Sequence, residues 1–223
     1  MDIFSVNKVF FTFLDYPMSY IEFFGTLLNI ACVFLLVKKN IINWFIGILA
    51  CVAFASLFYQ LRLYADLFEQ IYFFITGIIG WIMWQRAKCD TPTNTVVKRS
   101  SNKYLTWLGI SFVAGTVIGY YIITNLNDWL PKYFPDEASY PVIDVSTTVA
   151  SFQAQIMLTQ RRLENWMLWI AVDVVGIWLY WQKEVPFISA LYVLFLILAI
   201  RGLKEWRDTY ANQTQETSTL IHV

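Results

Sequence analysis

An ionisable side chain inside an apolar run is costly to bury in lipid, so it faces a protein interior and marks a binding site, a proton path or a helix contact. Asp173 is the sharpest such residue, near the middle of the apolar stretch 165–182. Asn29, near the middle of 18–37, is an amide in the same situation. Other polar groups collect toward the ends of apolar runs: Gln60, then Asp66, Glu69 and Gln70 with Tyr72, and Gln182 beside Trp178, Tyr180 and Trp181. Helical spacing puts Asp66 and Gln70 on one face, one turn from Phe73, Phe74 and Gly77, and puts Asp173 beneath Gly176 and Tyr180. Indole and phenol faces with amide and carboxylate partners suit a planar heteroaromatic ring carrying a hydroxylated edge, and aromatic faces also favour a delocalised cation. The expected binding set is therefore Asn29, Gln60, Asp66, Gln70, Tyr72, Asp173, Trp178, Trp181 and Gln182.

Each has a plainer reading. Trp and Tyr near span ends usually form an interfacial belt, the expectation for Trp44, Trp107, Trp129 and Trp206, while Trp178 and Trp181 stand between belt and cage. Asp173 could be a buried interhelical hydrogen bond. Glu22 and Asp144 read as water-facing or helix-capping residues, and Asn43 and Asn165 as N-caps before gate residues. Chemistry of the catalytic kind finds no support. The single histidine is His222, the three cysteines (Cys32, Cys51, Cys89) are widely spaced, and no Walker loop, dinucleotide fingerprint or metal-ligand cluster occurs. No cofactor is expected; a sodium site is unspecified.

The elements that position these residues are membrane helices. The 223 residues are 58% hydrophobic and only 14% charged, with mean hydropathy +0.52, whereas a soluble domain carries roughly a quarter charged residues. Zero net charge gives no basis for a nucleic-acid partner; the partner is the lipid bilayer. Seven spans are expected at about 18–37, 41–60, 67–85, 104–124, 141–160, 165–182 and 186–205, each long enough for a hydrocarbon layer of about 30 Å. Span five is rich in hydroxyls and amides (Thr147, Thr148, Ser151, Gln153, Gln155, Thr159) and needs a protein partner for that face. Residues 1–17 lack a secretory signal's basic start and read as an interfacial helix outside, and the tail 207–223 as disordered and cytoplasmic.

The chain contains one pattern twice. Adding 122 carries Asn43-Trp44 to Asn165-Trp166, Gln60 to Gln182, Gly80 to Gly202 and Trp84 to Trp206, without a gap. Three spans, at 18–86, thus recur at 141–206, with residues 87–140 (a cytoplasmic loop, a linker helix at 104–124 and an outer loop) between them. The offset contains an even number of spans, so both copies enter the membrane in the same sense. The fold class expected is an all-α integral membrane protein of seven transmembrane helices, arranged three plus one plus three as two parallel repeats. Lys and Arg divide twelve to four between alternate sides, which puts the C-terminus inside and the N-terminus outside.

Tyr64-Ala65-Asp66 with Gln70, Tyr72 and Gly80-Trp81-x-x-Trp84, and in the second copy Glu164-Asn165-Trp166-x-x-Trp169 with Asp173, resemble the PnuC-type nicotinamide riboside transporters. The resemblance spans nearly the whole membrane region. It implies a bacterial inner-membrane protein related in plan to the SWEET sugar transporters. The family is regarded as importing nicotinamide riboside by facilitated diffusion, with a cytoplasmic riboside kinase trapping the substrate for NAD synthesis. It also implies a homo-oligomer, a trimer. A same-fold transporter for another aromatic vitamin, thiamine being nearest, is the first alternative. A seven-helix signalling receptor is the alternative of another class, disfavoured by the duplication and the short outer links.

Overall fold

A computed structural model describes residues 5–6, 8–13, 16–61, 64–90, 96–131, 133, 140–182 and 186–221. His222 and parts of the loops within 87–140 lie outside the described residues. Two short strands, β1 (Val9–Phe13) and β2 (Tyr16–Ser19), precede seven helices: α1 (Tyr20–Val37), α2 (Ile42–Gln60), α3 (Tyr64–Asp90), α4 (Asn102–Trp129), α5 (Pro141–Thr159), α6 (Asn165–Gln182) and α7 (Pro186–Ile221). Five of these (α1 to α4 and α7) are long and apolar enough to cross a membrane by composition. The other two, α5 and α6, carry the polar residues singled out above.

Two expectations, one toward each terminus, fail first. Residues 9–19 form an antiparallel hairpin, not an interfacial helix. Its first strand is a run of β-branched and aromatic residues, which fit a pleated surface better than a helix, and Pro17 is tolerated because both strands of a hairpin are edges. Phe10 packs against Tyr20 and Phe23 of α1, with ring centroids 4.7 and 5.0 Å apart, so the hairpin is anchored by the first span. The tail is not disordered either, because α7 continues to Ile221. Trp206, Tyr210 and Gln213 recur at helical spacing on one face. Trp206 is fully buried, Tyr210 packs against the same core, and Gln213 Oε1 accepts from the Val97 amide at 3.2 Å.

Helix α1 opens with a reciprocal capping box: the Glu22 amide donates to Ser19 Oγ and the Ser19 amide to the Glu22 carboxylate, as the capping reading of Glu22 anticipates. Asn43 and Asn165 are not N-caps. Their side chains donate backward, Asn43 Nδ2 to the Asn40 carbonyl at 2.6 Å and Asn165 Nδ2 to the Arg162 carbonyl at 2.5 Å, and both are almost wholly buried. Each thereby closes the tight turn before its helix.

Neighbouring helices close a ring. The packed pairs are α1 with α2, α2 with α3, α3 with α5, α5 with α6, α6 with α7 and α7 with α1, while α4 lies outside against α5. The turns that follow α1 and α5 match atom for atom. Lys39 and Arg161 both adopt left-handed backbone, φ 55° and 57°, which costs a non-glycine residue roughly 1 kcal/mol or more. They end α1 and α5 in the same motif, with Lys39 and Arg161 amides donating to Leu36 and Leu158, and the next amides to Leu35 and Met157.

The core lies at the end of the bundle holding those turns. Trp44, Trp84, Trp206 and Trp166 form a chain of rings with centroids 5.4, 6.0 and 5.6 Å apart. All four are at most 3% exposed, so the interfacial-belt expectation for Trp44 and Trp206 is wrong. Trp107 and Trp129 are exposed, at 62% and 52%. The indoles reach across the ring in a matched pair: Trp84 Nε1 donates to the Leu158 carbonyl and Trp206 Nε1 to the Leu36 carbonyl, both at 3.3 Å. Close packing underneath depends on glycine. A Cβ on Gly80 would intrude on the Trp44 ring, and one on Gly202 on the Trp166 ring.

Candidate functional site

At the opposite, hairpin end, α3 meets α5 through polar and aromatic contacts. The Thr148 hydroxyl donates to Glu69 Oε1 at 2.6 Å. One turn along, Tyr72 stacks on Phe152 with centroids 4.0 Å apart, and its hydroxyl donates to the Phe152 carbonyl at 2.8 Å. Thr76, buried, returns its hydroxyl to the Tyr72 carbonyl, which fixes that turn of α3. Span five's polar face thus has the protein partners its composition demands, with Gln153 Nε2 reaching Ser111 Oγ on α4 at 2.9 Å.

Across the ring, Tyr180 of α6 and Tyr192 of α7 stack with ring centroids 5.3 Å apart. Tyr192 is seated tightly, because Gly176 offers no Cβ where its ring lies, and Ser189 Oγ ties α7 to the Ile177 carbonyl of α6. The charges of Asp66 and Glu69 on α3 reach both tyrosines, Asp144 on α5 reaches Tyr180, and Asp173 reaches Tyr192. Asp173 is 5% exposed and accepts no hydrogen bond from any described residue. A carboxylate so placed is satisfied by a proton or by a cation. The arrangement is an aromatic and acidic centre assembled from α3, α5, α6 and α7, suited to a flat, electron-poor, positively charged ring.

The sequence-derived residues divide. Asp66, Tyr72 and Asp173 belong to this centre. Asn29 and Gln70 are half-buried on α1 and α3. Gln60 is exposed and holds the N-terminal segment, accepting from the Val6 amide at 3.2 Å. Trp178 is 46% exposed with its edge against Tyr140, Trp181 is 67% exposed, and Gln182 is also exposed. Phe152 and Tyr192 went unnoticed from sequence. Each is one aromatic in an apolar run, and only the pairing of α5 with α3 and of α7 with α6 gives it a role. No groups of three or more His, Cys, Asp or Glu side chains able to hold a metal occur among the described residues.

Comparison with known proteins follows the same line. The family model described as nicotinamide mononucleotide transporter matches residues 19–208. The chain is 27% identical to the nicotinamide riboside transporter PnuC of Escherichia coli, covering 92% of this chain and 94% of that one. It is 23% identical to the riboflavin/roseoflavin transporter RibM of Streptomyces davaonensis, covering 90% and 91%. A crystal structure of the vitamin B3 transporter PnuC superposes with a TM-score of 0.66 at 23% identity, covering 86% of this chain and 81% of that one, which establishes a shared fold. Charged and aromatic side chains gathered inside a ring of membrane helices, together with a family model that spans that ring from end to end, place the chain in the nicotinamide mononucleotide transporter family.

Proposed function

We propose that the chain is a multi-pass inner-membrane importer of nicotinamide riboside, working by facilitated diffusion. The observation that carries the reading is the aromatic and acidic lining where α3 meets α5 and α6 meets α7: Tyr72 stacked on Phe152, Tyr180 on Tyr192, Glu69 bonded to Thr148, and the buried Asp173 between them in the ring. Nicotinamide riboside bears a pyridinium ring, a flat delocalised cation that aromatic faces and carboxylates both favour. Its phosphorylated form adds up to two negative charges, which an acidic lining opposes. The riboside is therefore preferred to the mononucleotide that the family's description names. A cytoplasmic kinase then traps the substrate by phosphorylation, and the added charge bars its return.

The architecture behind this reading is three plus one plus three, α1 to α3 and α5 to α7 as parallel repeats with α4 as linker. The paired bonds from Trp84 to Leu158 and from Trp206 to Leu36 support it. Those partners exchange under the 122-residue offset, as a pseudo-twofold axis along the membrane normal requires. Alternating exposure follows from rocking one repeat against the other. The tryptophan end, with most Lys and Arg, faces the cytoplasm, and the assembled protein is a homotrimer. Asp173 and Tyr72 meet the substrate, with Asn29, Gln70 and Asp66 along the path; Gln60, Trp178, Trp181 and Gln182 serve its outer mouth.

The test is exchange in sealed liposomes containing the purified chain, with labelled nicotinamide riboside on one side and no ion gradient. Equilibration blocked by unlabelled riboside, and not by the mononucleotide, is expected. Movement only under a sodium or proton gradient overturns uniport. Block by riboflavin or thiamine in preference to the riboside moves the chain toward the substrate class of its Streptomyces relative.

A further inference from the structure

The other end of the molecule holds a cavity of about 430 Å3 that the transport reading does not use. Lys98, Arg161 and Arg162 line it together with Tyr104, Thr159 and Gln160. The segment carrying Lys98 is fixed in place: its amide donates to the Arg161 carbonyl, and the Leu163 amide donates to the Lys98 carbonyl, both at 2.9 Å. Arg162 is held over the Tyr104 ring at 3.8 Å, with Nε donating to Gln160 Oε1 at 2.6 Å. The carboxylate nearest in sequence, Glu164, is committed elsewhere, accepting from the Ser100 amide and hydroxyl and lying 4.0 Å from Arg99. The side chains of Lys98 and Arg161 make no hydrogen bond or ion pair to the described residues.

The internal repeat supplies a control within one molecule. Lys39 is the repeat mate of Arg161, with the same left-handed backbone in the same turn. Burial lowers the affinity of Lys39 for its proton, but the charges of Glu205 and Asp208 on α7 oppose that effect, and Lys39 Nζ donates to Thr209 Oγ1 at 2.9 Å. Subtracting 122 from those three partners gives Met83, Arg86 and Ala87 on α3. Neither acid nor hydroxyl survives, and one acid has become a base. Burial holds Arg161 below the usual arginine range with no acidic neighbour opposing it, and Met83 lines the cavity where the carboxylate would stand. One copy of the turn brings its own anion; the other has a basic cavity in that place.

We propose that this cavity is an anion site for a phosphate group, bound by Lys98, Arg161 and Arg162. A guanidinium and an ammonium converging on one space match the oxygens of a phosphate monoester or diester. The Tyr104 and Thr159 hydroxyls and the Gln160 amide add neutral partners. Two sources offer that chemistry: the headgroup of an anionic phospholipid and a soluble phosphate ester. Occupancy ties the linker before α4 to the α5–α6 turn, the junction that carries Leu158 and Trp166.

The test uses the full chain in nanodiscs of phosphatidylcholine, with inorganic phosphate titrated in, and in nanodiscs doped with phosphatidylglycerol without phosphate. The readout is the rise in unfolding temperature caused by each addition. Arg161→Gly and Lys39→Gly form a matched pair, since each relieves a left-handed residue in the same turn, and Lys98→Gln removes the second cation without touching the backbone bonds. A saturable rise is expected in at least one arm, weakened about tenfold or more in Arg161→Gly and in Lys98→Gln and unchanged in Lys39→Gly. A rise only with phosphatidylglycerol identifies a lipid headgroup, and a rise with inorganic phosphate a soluble ester. No rise in either arm overturns the site. So does an equal loss in Lys39→Gly, which would reduce the effect to general surface charge.

Discussion

Asp173 is the residue whose environment says most about its role. It is buried, without a hydrogen-bond donor among the described residues, and within electrostatic reach of Tyr192. A structural carboxylate would be expected to hold a donor, and a substrate carboxylate waits for one. Asp173→Asn keeps the shape and removes the charge. It is predicted to weaken riboside binding by ten- to hundredfold, about 1.5–3 kcal/mol, while leaving the unfolding temperature near that of the parent. Equilibrium binding and thermal unfolding on the same detergent-solubilised sample check both halves, and intact binding with lost stability would assign Asp173 to the scaffold. Gly80 offers a contrasting case, where size and not charge decides. Gly80→Ala drives a methyl into the Trp44 ring, and overpacking of that kind costs about 1–3 kcal/mol. Trp44→Phe withdraws the intruded part of the indole. The double variant is therefore predicted to be more stable than the two separate losses would sum to, which a double-mutant cycle on unfolding measures.

Between elements, the cross-ring indole bonds form a matched pair. Trp84→Phe and Trp206→Phe each remove one indole donor from a carbonyl that still accepts from the adjacent turn, Leu158 from Arg161 and Leu36 from Lys39. Each is predicted to cost about 1 kcal/mol plus lost packing, and the two losses should match within the error of a denaturant titration. A large inequality would mean that the repeats have diverged in how they hold each other. How much of this was legible follows from the same residues. The 122-residue offset was visible because Trp and Asn are uncommon enough to align, and apolar runs placed the helices, though α5 and α6 are too polar to qualify as spans by composition and α7 extends well past 205. The location of the tryptophans was not legible. A Trp at a span end reads as a belt residue unless its partner is known, and the partners here are 40 residues apart within a copy and 122 between copies. The hairpin at 9–19 was missed because aromatic residues beside a first span also suit the membrane interface, which masked the strand preference of Val9–Phe13. The helical tail was missed because its polar composition hides the one face, Trp206, Tyr210 and Gln213, that docks.

At the level of the whole molecule, the six-helix ring makes transport a question of which seams open. The α3–α5 and α7–α1 seams differ in character along their length. The hairpin end is joined by polar contacts such as Thr148 to Glu69, exchangeable for contacts to a polar substrate. The tryptophan end is joined by buried indoles and by Lys39 donating to Thr209. If rocking moves substrate, the tryptophan end must part in each cycle, so a tether across it stops exchange without touching the binding residues. Lys39→Cys with Thr209→Cys, in a chain whose own cysteines are replaced by serine or alanine, places thiols on α7 and on the α1–α2 turn. A short bifunctional thiol reagent that is itself cleaved by reductant then bridges them. Riboside exchange in liposomes is predicted to fall to the protein-free background on bridging and to recover on reduction, while binding from the hairpin side persists throughout. Undiminished exchange in the bridged protein would show that this seam stays shut, and substrate would then have to leave through the α3–α5 seam alone.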